Sequence, residues 1–211
     1  MMKKESCNQS SFMYRYFSHA VVVAALLLAS CGTKPKTDTG TQTSETPETT
    51  ESETVDMSAY MPQLAVGSKA YVFELPDSAG TMHSLTDCEG SWTVVDFWAS
   101  WCGDCRAEIP AVKALYDNYQ PKGVKFVGIS FDKEPDAWKQ CLQTNELPGL
   151  QLCNFVPWRD KHADGTVAVH PAAEGYDLHW IPTLFLIAPD GTLAGFALTA
   201  ADMEGLLSRS L

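Results

Sequence analysis

The stretch VVDFWASWCGDCRAEIP, residues 94–110, joins an apolar run to a segment with helical spacing and sets two cysteines two residues apart at the join. Extended to WTVVDFWA (92–99), the apolar half is rich in β-branched residues and reads as a strand buried on both faces. The half that follows, 103–120, spaces Ile109, Val112, Leu115, Tyr116 and Tyr119 along one side of a helix. Cys102 therefore stands where a strand hands over to a helix. Residue chemistry leaves three readings for Cys102 and Cys105: a structural disulfide, half of a zinc site, or a working redox couple.

Outward from this stretch the pattern alternates. YVFEL (71–75), the turn PDSAG and TMHSL (81–85) read as a hairpin, with Gly80 free to take a positive φ. VKFVGISFD (124–132) is a second buried strand, EPDAWKQCLQTNEL (134–147) a second helix and LQLCNF (150–155) a short strand. A polar segment, 156–175, reads as a long loop, either a lid or partner-selecting loop or a tolerated surface insertion. After it come a helical turn around AAEGYDL (172–178) and a hairpin over TLFLIAPDGTLAGFAL (183–198) that turns at Asp190-Gly191. Thr199 with Asp202 resembles a capping box that opens a final helix. This order predicts an α/β fold, a mixed central sheet flanked by helices, with an N-terminal β-hairpin extension.

The chain's 211 residues allow one core of ordinary size, and a net charge of −11 leaves no electrostatic footprint for nucleic acid. Seven cysteines are more than a reducing cytosol leaves unexplained. Lys3, Lys4 and Arg15 precede AVVVAALLLA (20–29), a run too short to span a bilayer but suited to a signal peptide. Leu28-Ala29-Ser30-Cys31 resembles the lipobox of bacterial lipoproteins, which implies cleavage before Cys31 and a diacylglycerol on its sulfur. Residues 32–56 hold one hydrophobic residue, Val55, among Thr, Ser, Glu and Pro, and cannot bury enough surface to offset chain entropy. The expected organisation is a signal peptide over 1–30, a disordered tether over 31–56 carrying lipidated Cys31, and a folded domain over 57–211. A flexible tether of about 25 residues reaches roughly 25–30 Å, so the domain works beside an extracytoplasmic membrane surface, in periplasm or cell envelope, without inserting in it.

VVDFWASWCGDC resembles the active-site strand and turn of thioredoxin-like proteins. Ile181-Pro182-Thr183, about 80 residues later and ahead of an apolar strand, resembles that family's cis-proline loop, and Pro110 matches the proline within its active helix. The N-terminal hairpin and the extra segment before the proline are similar to the TlpA/ResA branch of membrane-attached thiol–disulfide oxidoreductases. The resemblance covers residues 64–211. It implies exchange of dithiol for disulfide with partner proteins, electrons from a membrane donor, and reduction as the direction. An oxidase or isomerase of the same fold, and a non-catalytic binding protein on the same scaffold, are the alternatives.

Chemistry agrees with the resemblance. At a helix start, unpaired N–H groups and the positive dipole end stabilise a Cys102 thiolate, the attacking species in disulfide exchange; Cys105, one turn in, resolves the mixed disulfide. Asp96, an acid in an otherwise apolar strand, is expected to have a raised pKa. It matches the buried aspartate that moves a proton for the resolving cysteine in thioredoxins, and the alternative is a polar residue at a strand edge. Glu108 matches a glutamate that tunes the pair in the ResA branch, with a solvent-facing helix residue as its alternative. Pro182 supplies the cis peptide that frees the backbone around Ile181 for a substrate strand. Trp101 and Trp180, with Ile181 and Thr183, are expected to form the substrate-binding rim, and the alternative for the two tryptophans is simple packing. Asp104 disfavours a neighbouring thiolate and so pushes the couple towards a better reductant, with Arg106 opposing it.

Zinc is disfavoured because there is no second CxxC and His162, His170 and His179 fit no closed pattern. A peroxidase of the peroxiredoxin class would want Pro and Thr ahead of its cysteine, which FWASWC lacks. No cofactor is called for. Cys141 and Cys153 read as small core residues in preference to a second disulfide, and Cys88 has no assigned role.

Overall fold

The computed structural model describes residues 57–211; the expected signal peptide, the tether and Cys31 lie outside the described residues. The central sheet has five strands in the order β5-β4-β3-β8-β9. Its middle strand is β3 (Thr93–Trp98), flanked in parallel by β4 (Lys125–Ser130) and antiparallel by β8 (Thr183–Ile187). The edges are β5 (Leu150–Leu152), parallel to β4, and β9 (Leu193–Ala197), antiparallel to β8. The three inner strands are buried almost throughout, which is why they carry continuous apolar runs in place of alternation.

Side-chain alternation along β3 divides the core. Val94 packs with Phe126, Leu184 and Leu186 against Leu115 and Tyr119 of α1 (Gly103–Tyr119) and Met203 and Leu207 of α4 (Ala200–Ser210). Val95 and Phe97 face the other way, with Ile129, Phe185, Trp138 of α2 (Pro135–Asn145) and Tyr176, which follows α3 (Pro171–Gly175). A one-residue slip of β3 would carry Phe97 across the sheet and put Asp96 in its aromatic cluster, so the register is fixed by both faces.

Four expectations are corrected. The N-terminal hairpin, β1 (Glu74–Pro76) with β2 (Met82–Ser84), is shorter than 71–85, because Ser84 caps a 3-10 turn over Leu85–Cys88 in a reciprocal box with Asp87. β5 stops at Leu152: the Cys153 amide turns to Pro76 O and Phe155 takes a φ of 59°. The segment 156–175 is not an irregular loop. It holds a second two-stranded sheet, β6 (Arg159–Lys161) with β7 (Val167–Val169), and then α3, which His170 caps by accepting the Ala172 N–H on Nδ1. Thr199 caps α4 through the Asp202 amide, but its hydroxyl donates to the Asp202 carboxylate at 2.8 Å, so the return bond is side chain to side chain. The turn at Asp190-Gly191 stands as expected, Gly191 at φ 80° and Asp190 accepting from the Thr192 amide.

Candidate active site

β3 ends at Trp98 and α1 begins at Gly103, so residues 99–102 form a short turn at the carboxyl end of the central strand. Cys102 is the N-cap of α1, with extended backbone (φ −76°, ψ 117°), and its Sγ accepts the Cys105 N–H at 3.1 Å. One helix-terminal N–H is thus spent on sulfur, which favours negative charge there. Cys102 and Cys105 are joined by a disulfide, with Cα atoms 5.3 Å apart. They are 8% and 4% exposed, so a partner meets Cys102 first. Pro110 lies within α1, one residue past the buried Ile109, and the helix continues through it.

The turn is clamped from below. Asp132, 1% exposed just after β4, accepts from the Ser100 amide at 2.9 Å, from the Ser100 hydroxyl and from the Ser130 hydroxyl. Arg106 Nη1 donates to Ser100 O at 2.8 Å. A buried carboxylate with three donors and a guanidinium on the loop carbonyl hold Ser100 in place, two residues before the sulfur. Sequence alone gives Asp132 no role, because Ser100 is distant in the chain and meets it only once β4 lies beside β3.

The Ile181–Pro182 peptide is cis, and the Ile181 carbonyl oxygen lies 3.8 Å from Cys102 Sγ. Thr183 does not present its side chain to a partner: it is fully buried, and its hydroxyl donates to Trp180 O at 2.8 Å, bracing the loop. The Ile181 side chain is likewise buried, leaving its backbone as the part near sulfur. Trp180 is half-buried and packs edge-on to Tyr60, with ring centroids 5.0 Å apart. Trp101 is 57% exposed beside Cys102 and is the apolar surface on this rim.

Behind Cys105 lies a cavity of about 20 Å³, lined by Asp96, Trp98, Cys105, Glu108, Gln151 and Pro182. That is space for about one water. Asp96 Oδ1 is buried there without a hydrogen-bond partner among the described residues. Burial, with the nearby Glu108 charge second, pushes the Asp96 pKa from 3.8 to about 7. Glu108 is not turned to solvent: its Oε2 accepts the Ala200 N–H at 2.9 Å, at the start of α4. Gln151 fixes the cavity floor, accepting from Trp98 Nε1 and donating to Pro148 O. It lies over Gly128, whose register partner is Asp96, and any side chain there would collide with it. The arrangement brings the Cys105 half of the disulfide, a carboxyl poised near neutrality and a second carboxylate to one small space.

Among the described residues no cluster of three or more His, Cys, Asp or Glu is placed to hold a metal. His170 caps α3 and pairs with Asn154, while His179 pairs with Asp177. Cys88, Cys141 and Cys153 are buried outside any disulfide, and burial pushes the thiols of Cys141 and Cys153 up.

Residues 66–195 match the model of the AhpC/TSA family. The chain belongs to that family. Its relatives include thiol–disulfide oxidoreductases named ResA. The protein from Oceanobacillus iheyensis is 31% identical over 59% of this chain and 59% of its own length. The one from Geobacillus kaustophilus is 37% identical over 67% of this chain and 75% of its own. Among solved structures, the thioredoxin domain of a thiol–disulfide oxidoreductase from Bacteroides vulgatus is 26% identical with a TM-score of 0.59, covering 70% of this chain and 99% of that one. The fold is thioredoxin-like, and the chain is an enzyme of the thiol–disulfide oxidoreductase class.

Proposed function

We propose that this protein is a lipid-anchored, extracytoplasmic reductant of disulfides in partner proteins. The observation that carries the reading is Cys102 at the N-cap of α1, its sulfur accepting the Cys105 amide and bonded to a cysteine that backs onto Asp96.

In the dithiol state the Cys102 thiolate attacks one sulfur of a substrate disulfide, and the other leaves as a thiolate that takes up a proton. Cys105 then passes its proton to Asp96 and attacks Cys102 Sγ. The second substrate sulfur leaves as a thiolate, takes up the proton that Asp96 releases, and the Cys102–Cys105 disulfide closes. Two electrons move from protein to substrate, and a membrane electron donor restores the dithiol. A base with a pKa of about 7 is matched to deprotonating a thiol near neutral pH, and Glu108 keeps that pKa up through its charge. Trp101 and the backbone at Ile181-Pro182 hold the incoming chain, with Trp180 and Thr183 bracing that loop. Lipid on Cys31 and the tether over 31–56 place the domain at a membrane surface; no described helix is long and apolar enough to cross one.

The test is a trap in the native membrane. With Cys105→Ser, partner proteins accumulate as mixed disulfides on Cys102, released by dithiothreitol. Absence of any such adduct, together with an unchanged phenotype for Cys102→Ser, would turn the reading to a binding protein on a thioredoxin scaffold.

A further inference from the structure

A groove of about 480 Å³ opens beside the redox turn, walled by Ser100 and Trp101 on one side and by Pro157, Trp158 and Arg159 on the other. Its floor is Phe131, which stacks on Trp158 with centroids 6.3 Å apart. The far wall is supplied by the first residue of β6 and the two residues before it, which no step of the exchange reaction uses. We infer that this groove is the substrate-selecting subsite of the enzyme: it takes a large apolar side chain, aromatic first, from the polypeptide flanking the substrate's reactive cysteine, and Arg159 reads an acidic neighbour. The inference rests on the oxidoreductase reading of Cys102.

Three observations commit the groove to that occupant. It is continuous with the site of attack, because Trp101 both walls it and immediately precedes Cys102. A segment held by its cysteine at Cys102 therefore lays its neighbouring residues along Trp101. Trp101, Phe131 and Trp158 give the groove an aromatic side, with charged residues around it, and its volume has room for a bulky side chain. The same insertion also exposes Val156 (41%), Val167 (52%) and Val169 (37%), apolar side chains that a longer partner segment would cover.

The rim supplies the charge preference. Lys133, Glu134 and Arg159 stand on it. Lys133 is engaged with Asp160 at 3.2 Å, whereas the Arg159 guanidinium rests 5.3 Å from the Trp158 ring centroid and makes no ion pair among the described residues. On a chain of net charge −11, this is a cation left facing outward at the mouth of an apolar groove. A substrate carboxylate there gains a forked partner without displacing one.

The experiment uses the full chain, reduced by dithiothreitol, and three peptides each closed by an internal disulfide. One carries Phe followed by Asp beside a cysteine; the second has Ser for Phe; the third has Lys for Asp. Rates are read at low peptide concentration, so that they report kcat/KM. The Phe peptide is expected to react at least about tenfold faster than the Ser peptide. Trp158→Ala collapses that ratio towards one. Arg159→Glu, a change at an exposed wall residue that keeps Trp101, Phe131 and Trp158 in place, inverts the preference between the Asp and Lys peptides. Equal rates for Phe and Ser peptides in the wild type, or a ratio that survives Trp158→Ala with an unmoved Asp/Lys preference in Arg159→Glu, would overturn the subsite while leaving the enzyme an oxidoreductase. Failure of dithiothreitol to open the Cys102–Cys105 disulfide in the wild type would instead remove the reading on which the subsite stands.

Discussion

Replacing Asp96 by Asn isolates the cost of burying that carboxyl. In the folded protein its pKa is about 7, against 3.8 for the ordinary group. The gap corresponds to about 4 kcal/mol at about 1.4 kcal/mol per pH unit. Below pH 3.8 the carboxyl is neutral in both states and exerts no effect. Between 3.8 and 7 the unfolded chain ionises while the folded one holds its proton, so stability falls as pH rises and levels off above 7. Asn does not titrate, so the variant lacks this slope. Measured by urea unfolding of the oxidised protein, in which neither active cysteine titrates, the difference variant minus wild type should be small at pH 4. It should grow to about 4 kcal/mol in the variant's favour at pH 8, or roughly 10 °C in Tm. A constant offset at all pH values is the packing of the Asn amide and is not the quantity of interest. A difference that stays flat from pH 4 to 8, or that moves against the variant, would refute the buried-carboxyl argument. The same variant should slow resolution of the mixed disulfide on the order of 100-fold near neutral pH, the ordinary contribution of a positioned proton acceptor.

Glu108→Gln keeps an oxygen for the Ala200 N–H but removes the charge that helps raise Asp96; the Asp96 carboxyl, followed by NMR in the oxidised protein, should titrate lower than in the wild type. Asp132→Ala leaves the part-buried Ser100 amide without its acceptor and should destabilise the fold by about 1–2 kcal/mol while slowing thiol exchange at Cys102, read by urea midpoints and by reaction with a disulfide reagent. Burial lowers the His170 pKa from 6.5 to about 4, so its neutral ring stabilises the fold above 6.5 and that contribution is lost as pH falls through about 4. His170→Gln should flatten that acid limb of the urea midpoint.

Most of the sheet was legible because its strands are buried on both faces and carry unbroken apolar runs, as in TVVDFW and TLFLI. The turn chemistry at Asp190-Gly191 and the helix start at Thr199 were likewise local. What escaped reading depended on distant partners. β5 ends early because Pro76, far back in the chain, takes the Cys153 amide. The β6–β7 hairpin reads as a loop in sequence because Arg159–Lys161 is charged and Val167–Val169 is short and exposed, so neither strand shows an amphipathic period. At the site, the CxxC and the Ile181-Pro182 loop are contiguous motifs, and Asp96 betrayed itself as an acid in an apolar run. Asp132 and Gln151 did not, since their roles exist only once β4 and β5 lie beside β3. Thr183 sits inside the recognised motif, yet it serves the loop and not the partner. A motif marks a position; it does not say which way the side chain points.

The most direct test is the reduction potential of the Cys102–Cys105 couple in the full chain, equilibrated against glutathione or dithiothreitol and followed by tryptophan fluorescence. Trp101, adjacent to Cys102, is well placed to report it. A reductant requires a value near or below about −250 mV. A value above roughly −180 mV would place the protein with oxidants and isomerases and contradict the direction proposed.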